Sequence, residues 1–403
     1  VRVHYNYGFS SEVGGGPYGR QIWLEEPAPE THHIDVAQGS EVDTLHAALD
    51  QWEGHCRDCA SGGKRPIGRI TILDNGLYEP VEPVIRLPRG AQLTIAAGDG
   101  VRPIIRPQKP EAPLVRAGLP FPEEKPVEER VEPVIDRLLH LNGLFIYGGI
   151  QIKGGDPGDT DVSLVPINHR DVSRSKDESF EGTLDLTIRH CTLMPDGLGV
   201  QLGPKDAAKL RVDIQHSIVG PLRLPVKVAA LSVQDSIIDH PGGYAIAAPA
   251  ATEQPDPPPE EVPGPPATLK RTTVFGRVSV QELPSASEVI FTAPVFVQER
   301  ERGGVGYSYV PAGSQTPPRE FCQPPDDTPA SKVRPRFTSV RFGDPAYAQL
   351  SLDCPSELRR GGRDGAEMGV FCHLFRPQRE INIEHILDEY LPFGLSAAVF
   401  YVT

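Results

Sequence analysis

The chain has 403 residues, enough for a large buried core, and its formal net charge is −14 at pH 7. This acidic balance argues against a nucleic-acid partner, because such proteins need a basic face to neutralise phosphates. No apolar run approaches the roughly 18 residues of a membrane-spanning helix, and six cysteines are too sparse for a disulfide-stabilised secreted scaffold.

The first 34 residues contain many glycines and tyrosines but no regular spacing of apolar positions. We interpret residues 1–34 as an extended arm that docks on a neighbouring protein or on the main body. Tyr5, Tyr7 and Tyr18 are its candidate binding residues, because tyrosine supplies contact area together with a hydrogen bond. Since the sequence begins with Val1, we also expect a processed product or a piece of a longer protein.

A helix is predicted directly after the arm. Apolar residues at helical spacing from Val42 to Trp52 would form one buried face. Ser40 is the expected cap, with Asp43 in the position where a capping box usually has Glu or Gln. A helix placed before a run of strands can cover exposed strand edges and the end of a core.

Cys56 and Cys59 form a Cys-x-x-Cys pair, with His55 beside it. A structural zinc site needs four ligands, and no second pair with suitable spacing follows. Redox pairs of this kind begin a helix in a βαβ setting, whereas this pair ends a helical pattern. The three side chains are candidate metal ligands, the alternative is an incidental thiol pair, and no cofactor is expected.

Short apolar strands begin near Arg69, and an internal repeat follows. Five segments align without gaps, and ASEVIF from Ala286 fits as a looser sixth. The five are LNGLFI from Leu141, IRHCTL from Ile188, IQHSIV from Ile214, VQDSII from Val233 and LKRTTV from Leu269. The six starts are separated by 47, 26, 19, 36 and 17 residues. Without the long insertions, the period is about 18 to 26 residues.

This period predicts a right-handed parallel β-helix. About 20 residues complete one coil of two or three short strands, whose apolar positions point inward and stack on the next coil. Propeller blades would need about 40 residues, and leucine-rich repeats would need a Leu and Asn framework that is absent. We assign residues 35–300 to the capping helix and the β-helix, with loops at 107–133, 155–182 and 249–266.

The last part of the chain has a different pattern. Residues 301–336, rich in Gly and Pro, are predicted to be a linker, and Tyr307 and Tyr309 within them are candidate binding residues. Residues 337–403 are predicted to form a small α+β cap or docking element that ends in an apolar strand over 398–402.

The coils over 69–300 resemble the pectate-lyase-like right-handed β-helix superfamily, which includes polysaccharide lyases, pectin hydrolases and phage tailspikes. YNYGFSSEVGGGPYGR from Tyr5, ITILDNGLYEP from Ile70 and YSYVPAGSQTPPREFCQP from Tyr307 resemble a group of uncharacterised bacterial proteins. That group tends to accompany phage-tail-like contractile injection particles. The resemblance implies a structural or target-facing accessory of such a particle. The sparse cysteines suit a protein that is made in the bacterial cytoplasm, and the expected particle is extracellular or released. The expected partners of the chain are other proteins of the assembly, and surface polysaccharide is a further candidate.

One column of the aligned repeat holds mostly polar residues, namely Gly143, His190, His216, Asp235, Arg271 and Glu288. Equal positions on neighbouring coils lie about 4.8 Å apart, so His190, His216 and Asp235 would form a polar ladder. This ladder is either a proton-transfer pair or carbohydrate-binding strip, or a set of outward-facing polar residues between apolar positions. Enzymes of this fold cluster several carboxylates, and no such set can be assembled from the sequence. A non-catalytic component is therefore favoured, with a carbohydrate-active enzyme as the alternative.

Overall fold

The structure is a computed structural model, and it describes residues 12–17, 19, 30–81, 83–109, 137–154, 160–166, 183–195, 197, 199–202, 210–249, 263–325, 332–344 and 346–394. The loops predicted over 107–133 and 249–266 lie largely outside these residues, and so does the strand predicted over 398–402.

The described chain is mostly β, with 23 strands in one large and mainly parallel sheet. In chain order the strands are β1 (His32–Val36), β2 (Ile67–Ile72), β3 (Leu77–Tyr78), β4 (Val84–Leu87), β5 (Gln92–Ala97), β6 (Ile104–Ile105), β7 (Arg137–Asn142), β8 (Phe145–Ile146), β9 (Gly148–Gly154), β10 (Thr160–Pro166), β11 (Leu184–Arg189), β12 (Thr192–Leu193), β13 (Val200–Leu202), β14 (Leu210–Gln215), β15 (Ile218–Val219), β16 (Leu222–Arg223), β17 (Ala230–Gln234), β18 (Ile237–Ala247), β19 (Ala267–Lys270), β20 (Thr273–Ser287), β21 (Ile290–Phe291), β22 (Val295–Gly306) and β23 (Arg319–Glu320). The helices are α1 (Leu45–Ser61), α2 (Ser356–Arg359) and α3 (Arg376–Tyr390), with 3₁₀ turns at Arg363–Gly365 and Cys372–Leu374.

The parallel strands follow one another in three rows, which we name A, B and C. Row A contains β1, β2, β5, β7, β11, β14, β17, β19, the C-terminal ends of β20 and β22, and β23. Row B contains β3, β6, β8, β12, β15, β21 and the N-terminal ends of β18 and β20. Row C contains β9, β13, β16, the end of β18, the middle of β20 and the start of β22.

The repeat segments pair in parallel and in the register that their alignment predicts. The first residues of the segments lie side by side along row A, in the order Leu141, Ile188, Ile214, Val233, Leu269 and Ala286. Side chains on a strand alternate between its two faces, so this register places every second apolar residue on the same face. The parallel pairing of the repeat is therefore confirmed.

The side chains predicted to point inward are buried in one apolar cluster to which all three rows contribute. Each is at most 1% exposed, and they are Ile188, Leu193, Ile214, Val219, Val233, Ile238 and Val274. Stacked aliphatic side chains of this kind remove apolar surface from water, which is the main term that stabilises the sheet.

Helix α1 forms where the sequence predicts a helix, but its cap is different. Thr44 precedes the first turn, and its hydroxyl accepts a hydrogen bond from the Ala47 N–H at 3.1 Å. Ser40 instead donates its hydroxyl to the Ala37 carbonyl, because the chain is still in a turn at that point. The predicted apolar face is buried, and the indole N–H of Trp52 donates to the Arg86 carbonyl at 2.9 Å.

Two segments differ from the expected loop and linker. Within the loop predicted over 155–182, β10 pairs antiparallel with β9 and β4, because its buried Val162 and Leu164 supply an apolar face. Within the linker predicted over 301–336, β22 and β23 continue row A. The expectation for both segments rested on polar or Pro-rich composition, which conceals short strands.

The described tail packs along the outer face of row B. One apolar group joins Ile290 of row B, and Tyr309 that bridges to it, to Leu350, Leu358 and Met368 of the tail. A second group joins other row B residues to the tail, namely Ile237 and Phe275 with Tyr347, Ala348 and Val370. The tail therefore covers side chains that would otherwise face solvent beside the junction of rows A and B.

Candidate functional site

The polar column predicted from the repeat lies where row A turns into row B. Each of its residues adopts a left-handed backbone conformation with a positive φ, and the same position continues for two further residues. We call this set the corner column; it consists of Gly143, His190, His216, Asp235, Arg271, Glu288, Tyr307 and Phe321, with φ from 46° to 75°. Positive φ is unusual for side chains other than glycine and costs roughly 1–2 kcal/mol per residue. Other interactions must therefore hold these corners.

Backbone hydrogen bonds along the column provide the first of these interactions. The N–H groups of His190, His216 and Asp235 each donate at 3.1 Å to the last carbonyl of the neighbouring row A strand. A backbone hydrogen bond therefore joins each corner to the neighbouring strand. The corner N–H has a partner although it lies outside the regular hydrogen-bond ladder of the sheet.

A small residue directly after six of the eight corners provides the second. Ser217 is fully buried, and its hydroxyl donates to the Gln215 carbonyl at 2.7 Å while accepting from the Cys191 N–H at 3.1 Å. Ser236 repeats the arrangement by accepting from the Ser217 N–H at 3.0 Å. The recurring small residues after the corner are Cys191, Ser217, Ser236, Thr272, Ser308 and Cys322.

His190 and His216 stack on each other at the first part of the column. Their ring centroids are 4.9 Å apart, with an interplanar angle of 8°. An N-terminal segment lies against both residues: His190 Nδ1 is 2.9 Å from the Glu12 carbonyl oxygen, and the Gly14 N–H donates to the His216 carbonyl at 2.7 Å. The stacked rings are therefore packed under the chain's own backbone.

Asp235 is at the electrostatic centre of the column. Arg271 donates to both of its carboxylate oxygens, at 2.5 and 2.6 Å, in a bidentate pair. His216 Nε2 lies 3.8 Å from Asp235 Oδ2, and His373 Nδ1 of the tail lies 3.6 Å from Oδ1. Burial alone would raise the pKa of Asp235, but hydrogen bonds from Arg271 and Gln234 outweigh it and hold that pKa below its usual value.

The two histidines beside Asp235 respond mainly to their own burial. Burial lowers the pKa of His216, although the nearby Asp235 acts in the opposite direction. The pKa of His373 is also lowered, again chiefly by burial and against the influence of Asp235. Both imidazoles are therefore held toward the neutral form at neutral pH.

The far end of the column is aromatic and more open. Tyr307 and Phe321 stack with ring centroids 5.0 Å apart, and the guanidinium of Arg363 lies 5.3 Å from the Tyr307 ring centre. The same arginine is 4.0 Å from Glu288. Phe321 is 70% exposed, so the accessible part of the column is aromatic rather than acidic.

The acidic and histidine part of the column is closed. His190 is 0% exposed, Asp235 is 1% exposed and Glu288 is 6% exposed. Thus His190, His216 and Asp235 are brought together as a ladder, but they do not face outward as one sequence interpretation expected. Turns of positive φ place their side chains beneath residues 12–16 and 369–373.

Tyr309, the other tyrosine expected to bind a partner, is only 6% exposed and contacts the tail. It borders a groove of about 540 Å³ between row B and the tail. The wall of this groove is largely apolar, with Pro311, Phe337 and Val340 among its residues. Tyr5, Tyr7 and Tyr18 lie outside the described residues.

The Cys-x-x-Cys pair lies on α1. Cys56 and Cys59 are both buried and do not form a disulfide, and Cys59 Sγ lies 3.4 Å from His55 Nε2. The His55 ring also stacks on His32, with centroids 4.5 Å apart. Among the described residues, no three His, Cys, Asp or Glu side chains are grouped so that they could hold a metal ion.

Sequence reasoning found the first six corner residues and missed the last two. The signal was present in the segments GYSYV and EFCQ, where Tyr307 precedes Ser308 and Phe321 precedes Cys322. A small residue follows both of these corners, as it follows four of the first six, and this shared feature could have found them.

No protein-family model matches the chain, and no curated protein matches it. None of the helices in the described ranges combines the length and apolar content needed to cross a membrane.

Proposed function

We propose that the chain is a non-catalytic structural or target-binding component of a phage-tail-like particle, such as a spike, a decoration or a baseplate accessory. The observation that carries this proposal is the closure of the corner column. The one constellation that suited proton transfer lies under two segments of the same chain, and its central carboxylate is bound by Arg271. A polymeric substrate has no access to it.

The proposed architecture is a right-handed parallel β-helix, in which the three rows wind around the common apolar cluster. In-register parallel pairing and the apolar core that the three rows share support this winding. Buried α1 at the N-terminal side suits a capping helix, since Trp52 enters the same core. Such a rod presents rigid walls to neighbouring proteins.

The alternative, a carbohydrate-active enzyme, has less support from the site. Glycosidases place two carboxyl groups on either side of an accessible bond. In the corner column, Asp235 and Glu288 are separated by Arg271, and all three are engaged with the protein itself. We therefore propose other proteins of the assembly as the principal partners, and surface polysaccharide as a further binding partner of the particle.

The test is to purify contractile particles by sedimentation from a bacterium that encodes the chain. We expect mass spectrometry to find the chain in the particle fraction, at a constant ratio to the sheath and tube proteins. In parallel, the purified protein is incubated with polygalacturonate and with surface polysaccharide of the same bacterium, and no cleavage is expected. Absence of the chain from the particles would overturn the proposal. So would cleavage that is lost in Asp235→Asn but kept in Asp50→Asn, a control on the exposed face of α1.

A further inference from the structure

Two distant segments of the chain are bound to the corner column by the same set of contacts. Near the N-terminus, the Gly14 N–H donates to the carbonyl of the corner residue His216 at 2.7 Å, and the Gly15 N–H donates to Thr192 Oγ1 at 2.9 Å. In the tail, the Gly369 N–H donates to the carbonyl of the corner residue Glu288 at 2.9 Å. The following amide, that of Val370, donates to Thr273 Oγ1 at 3.1 Å.

The walls of the two sites are also equivalent. Thr192 pairs with Ile218 in row B, and Thr273 pairs with Ile290 in the same row. A Cβ added to Gly14 would lie 2.7 Å from Thr192 Oγ1 and 3.0 Å from Ile218 Cδ1. A Cβ added to Gly369 would lie 2.8 Å from Thr273 Oγ1 and 2.9 Å from Ile290 Cδ1.

Glycine is required at both positions for two independent reasons. The φ angles are 86° at Gly14 and 90° at Gly369, in the region that side chains rarely adopt. The threonine hydroxyl and isoleucine methyl also occupy the space of a Cβ. In each case an apolar residue precedes the glycine, Val13 in one segment and Met368 in the other, and it packs into an apolar group beside row B.

We propose that this corner is a peptide-binding site, present twice along the junction of rows A and B, that recognises an apolar residue followed by glycine. The ligand is recognised through its backbone, since one amide donates to the corner carbonyl and the next donates to the threonine hydroxyl. The threonine hydroxyl, the isoleucine methyl and the positive φ together favour glycine at the first of these positions. The inference goes beyond the proposed assembly role and does not depend on it.

The site at Thr192 is the one that can accept a segment from another molecule. The part of its occupant that the structure describes is Val13–Gly16, between the exposed Glu12 and Pro17. The occupant at Thr273 is instead built into the tail, where Met368 and Val370 are buried. A peptide of the same pattern on a partner protein can therefore replace the N-terminal segment and leave the tail in place.

The test uses the full chain with Gly14→Ala, which weakens binding of its own segment, and an acetylated peptide of residues 12–17 (EVGGGP) at millimolar concentration. We expect saturation-transfer NMR to detect the peptide on the Gly14→Ala chain. The signal should fall at least fivefold when Thr192→Val is added, and also when the first glycine of the peptide is alanine. The matched control is Gly39→Ala, where φ is 79° and nothing lies within 4 Å of the added Cβ. It should bind no more peptide than the unmodified chain.

No peptide signal on a folded Gly14→Ala chain would overturn the proposal, as would a signal insensitive to Thr192→Val or to the altered peptide. If Gly14→Ala does not fold, amide exchange of single variants replaces the titration. We then expect Thr192→Val to speed exchange at Gly14 and Gly15 at least tenfold without affecting Gly369 and Val370, and Thr273→Val to do the reverse. Equal amide exchange rates in the two variants would show that the threonine hydroxyl does not hold the segment at either site.

Discussion

The Asp235 carboxylate is paired with the guanidinium of Arg271 and lies near the imidazole of His216. It belongs to the corner column, in which backbone hydrogen bonds join neighbouring residues. Its carboxylate is 2% exposed at the side chain, whereas the Arg271 side chain keeps 20% of its exposure. A buried charge that loses its partner retains the cost of desolvation without the attraction that offset it. Removing only one member of the pair should therefore cost more stability than replacing both by apolar residues.

We expect Asp235→Asn to lower the free energy of unfolding by about 3 kcal/mol, at the lower end of the range for buried pairs because Arg271 is partly hydrated. The double variant Asp235→Leu with Arg271→Met should lose less than the single variant, since no charge is then left unpaired. Urea denaturation of the three proteins measures this. A single variant within about 0.5 kcal/mol of the unmodified chain would contradict the expected role of the pair.

Glu367 is a second buried carboxyl, and its behaviour is opposite to that of Asp235. Burial raises its pKa to about 7 from a usual value of 4.5, because the nearby Arg376 only partly compensates. Arg376 is already engaged, since it donates to Glu380 at 3.0 Å and to the Leu350 carbonyl at 2.8 Å. Glu367 is therefore protonated in the folded state over a pH range in which the unfolded chain has lost the proton.

The sign of the pH effect follows from that difference. The folded state holds the Glu367 proton more tightly, so the contribution of Glu367 to stability is greatest below about pH 4.5 and declines as pH rises to about 7. Glu367→Gln should remove this decline. Compared with the unmodified chain, we expect it to gain up to about 3 kcal/mol at pH 8 and little at pH 4. Denaturant midpoints at both pH values measure the gain, and the exposed Glu357→Gln is the control. An equal effect at both pH values would contradict the assignment.

At the scale of the element, the parallel register is the feature most open to testing. Ile214 points into the common core between Ile188 and Val233 and is 0% exposed. We expect Ile214→Ala to cost about 2–5 kcal/mol, because the stacked neighbours cannot close the void. Leu73→Ala, at a position that is 49% exposed, should change the urea midpoint little. Equal losses for the two variants would show that the repeat does not define the core.

The repeat predicted this register because inward apolar positions recur at fixed offsets, and the face of α1 followed from helical spacing in the same way. The sequence could not predict that the column consists of left-handed corners covered by other segments of the chain. Gly143 adopts a positive φ readily, but the corners at His190, Asp235 and Arg271 also depend on bonds from neighbouring strands. Burial of the column was equally hidden, since it arises from contacts such as Gly14 with His216 that join residues far apart in sequence.

Across the whole molecule, several histidines share one response to pH. Burial lowers the pKa values of His55, His216, His240 and His373, and it lowers that of His140 to about 4. The folded state binds their protons less tightly than the unfolded chain does. Their contribution to stability is therefore complete above about pH 6.5 and is lost as pH falls toward 4.

We expect acidification from pH 7 to pH 4 to destabilise the chain, and His140→Thr to reduce that loss by up to about 3 kcal/mol. Thr is chosen because His140 pairs with Thr94 and Thr187 in row A and can extend that line of threonines. His33→Gln, at an exposed position, is the control. Urea midpoints at the two pH values measure the change. If His140→Thr loses as much stability on acidification as the unmodified chain, the prediction is contradicted.

The contact between the N-terminal segment and the corner column also has a consequence during synthesis. Glu12 and its partner His190 are 178 positions apart. At a synthesis rate of about 5–20 residues per second, the ribosome needs roughly 10–35 seconds to make the intervening chain. During that time the Val-Gly-Gly segment has emerged without the strands that bind it. The order of translation therefore gives a chaperone, or a finished copy of another protein, the first opportunity to bind this segment.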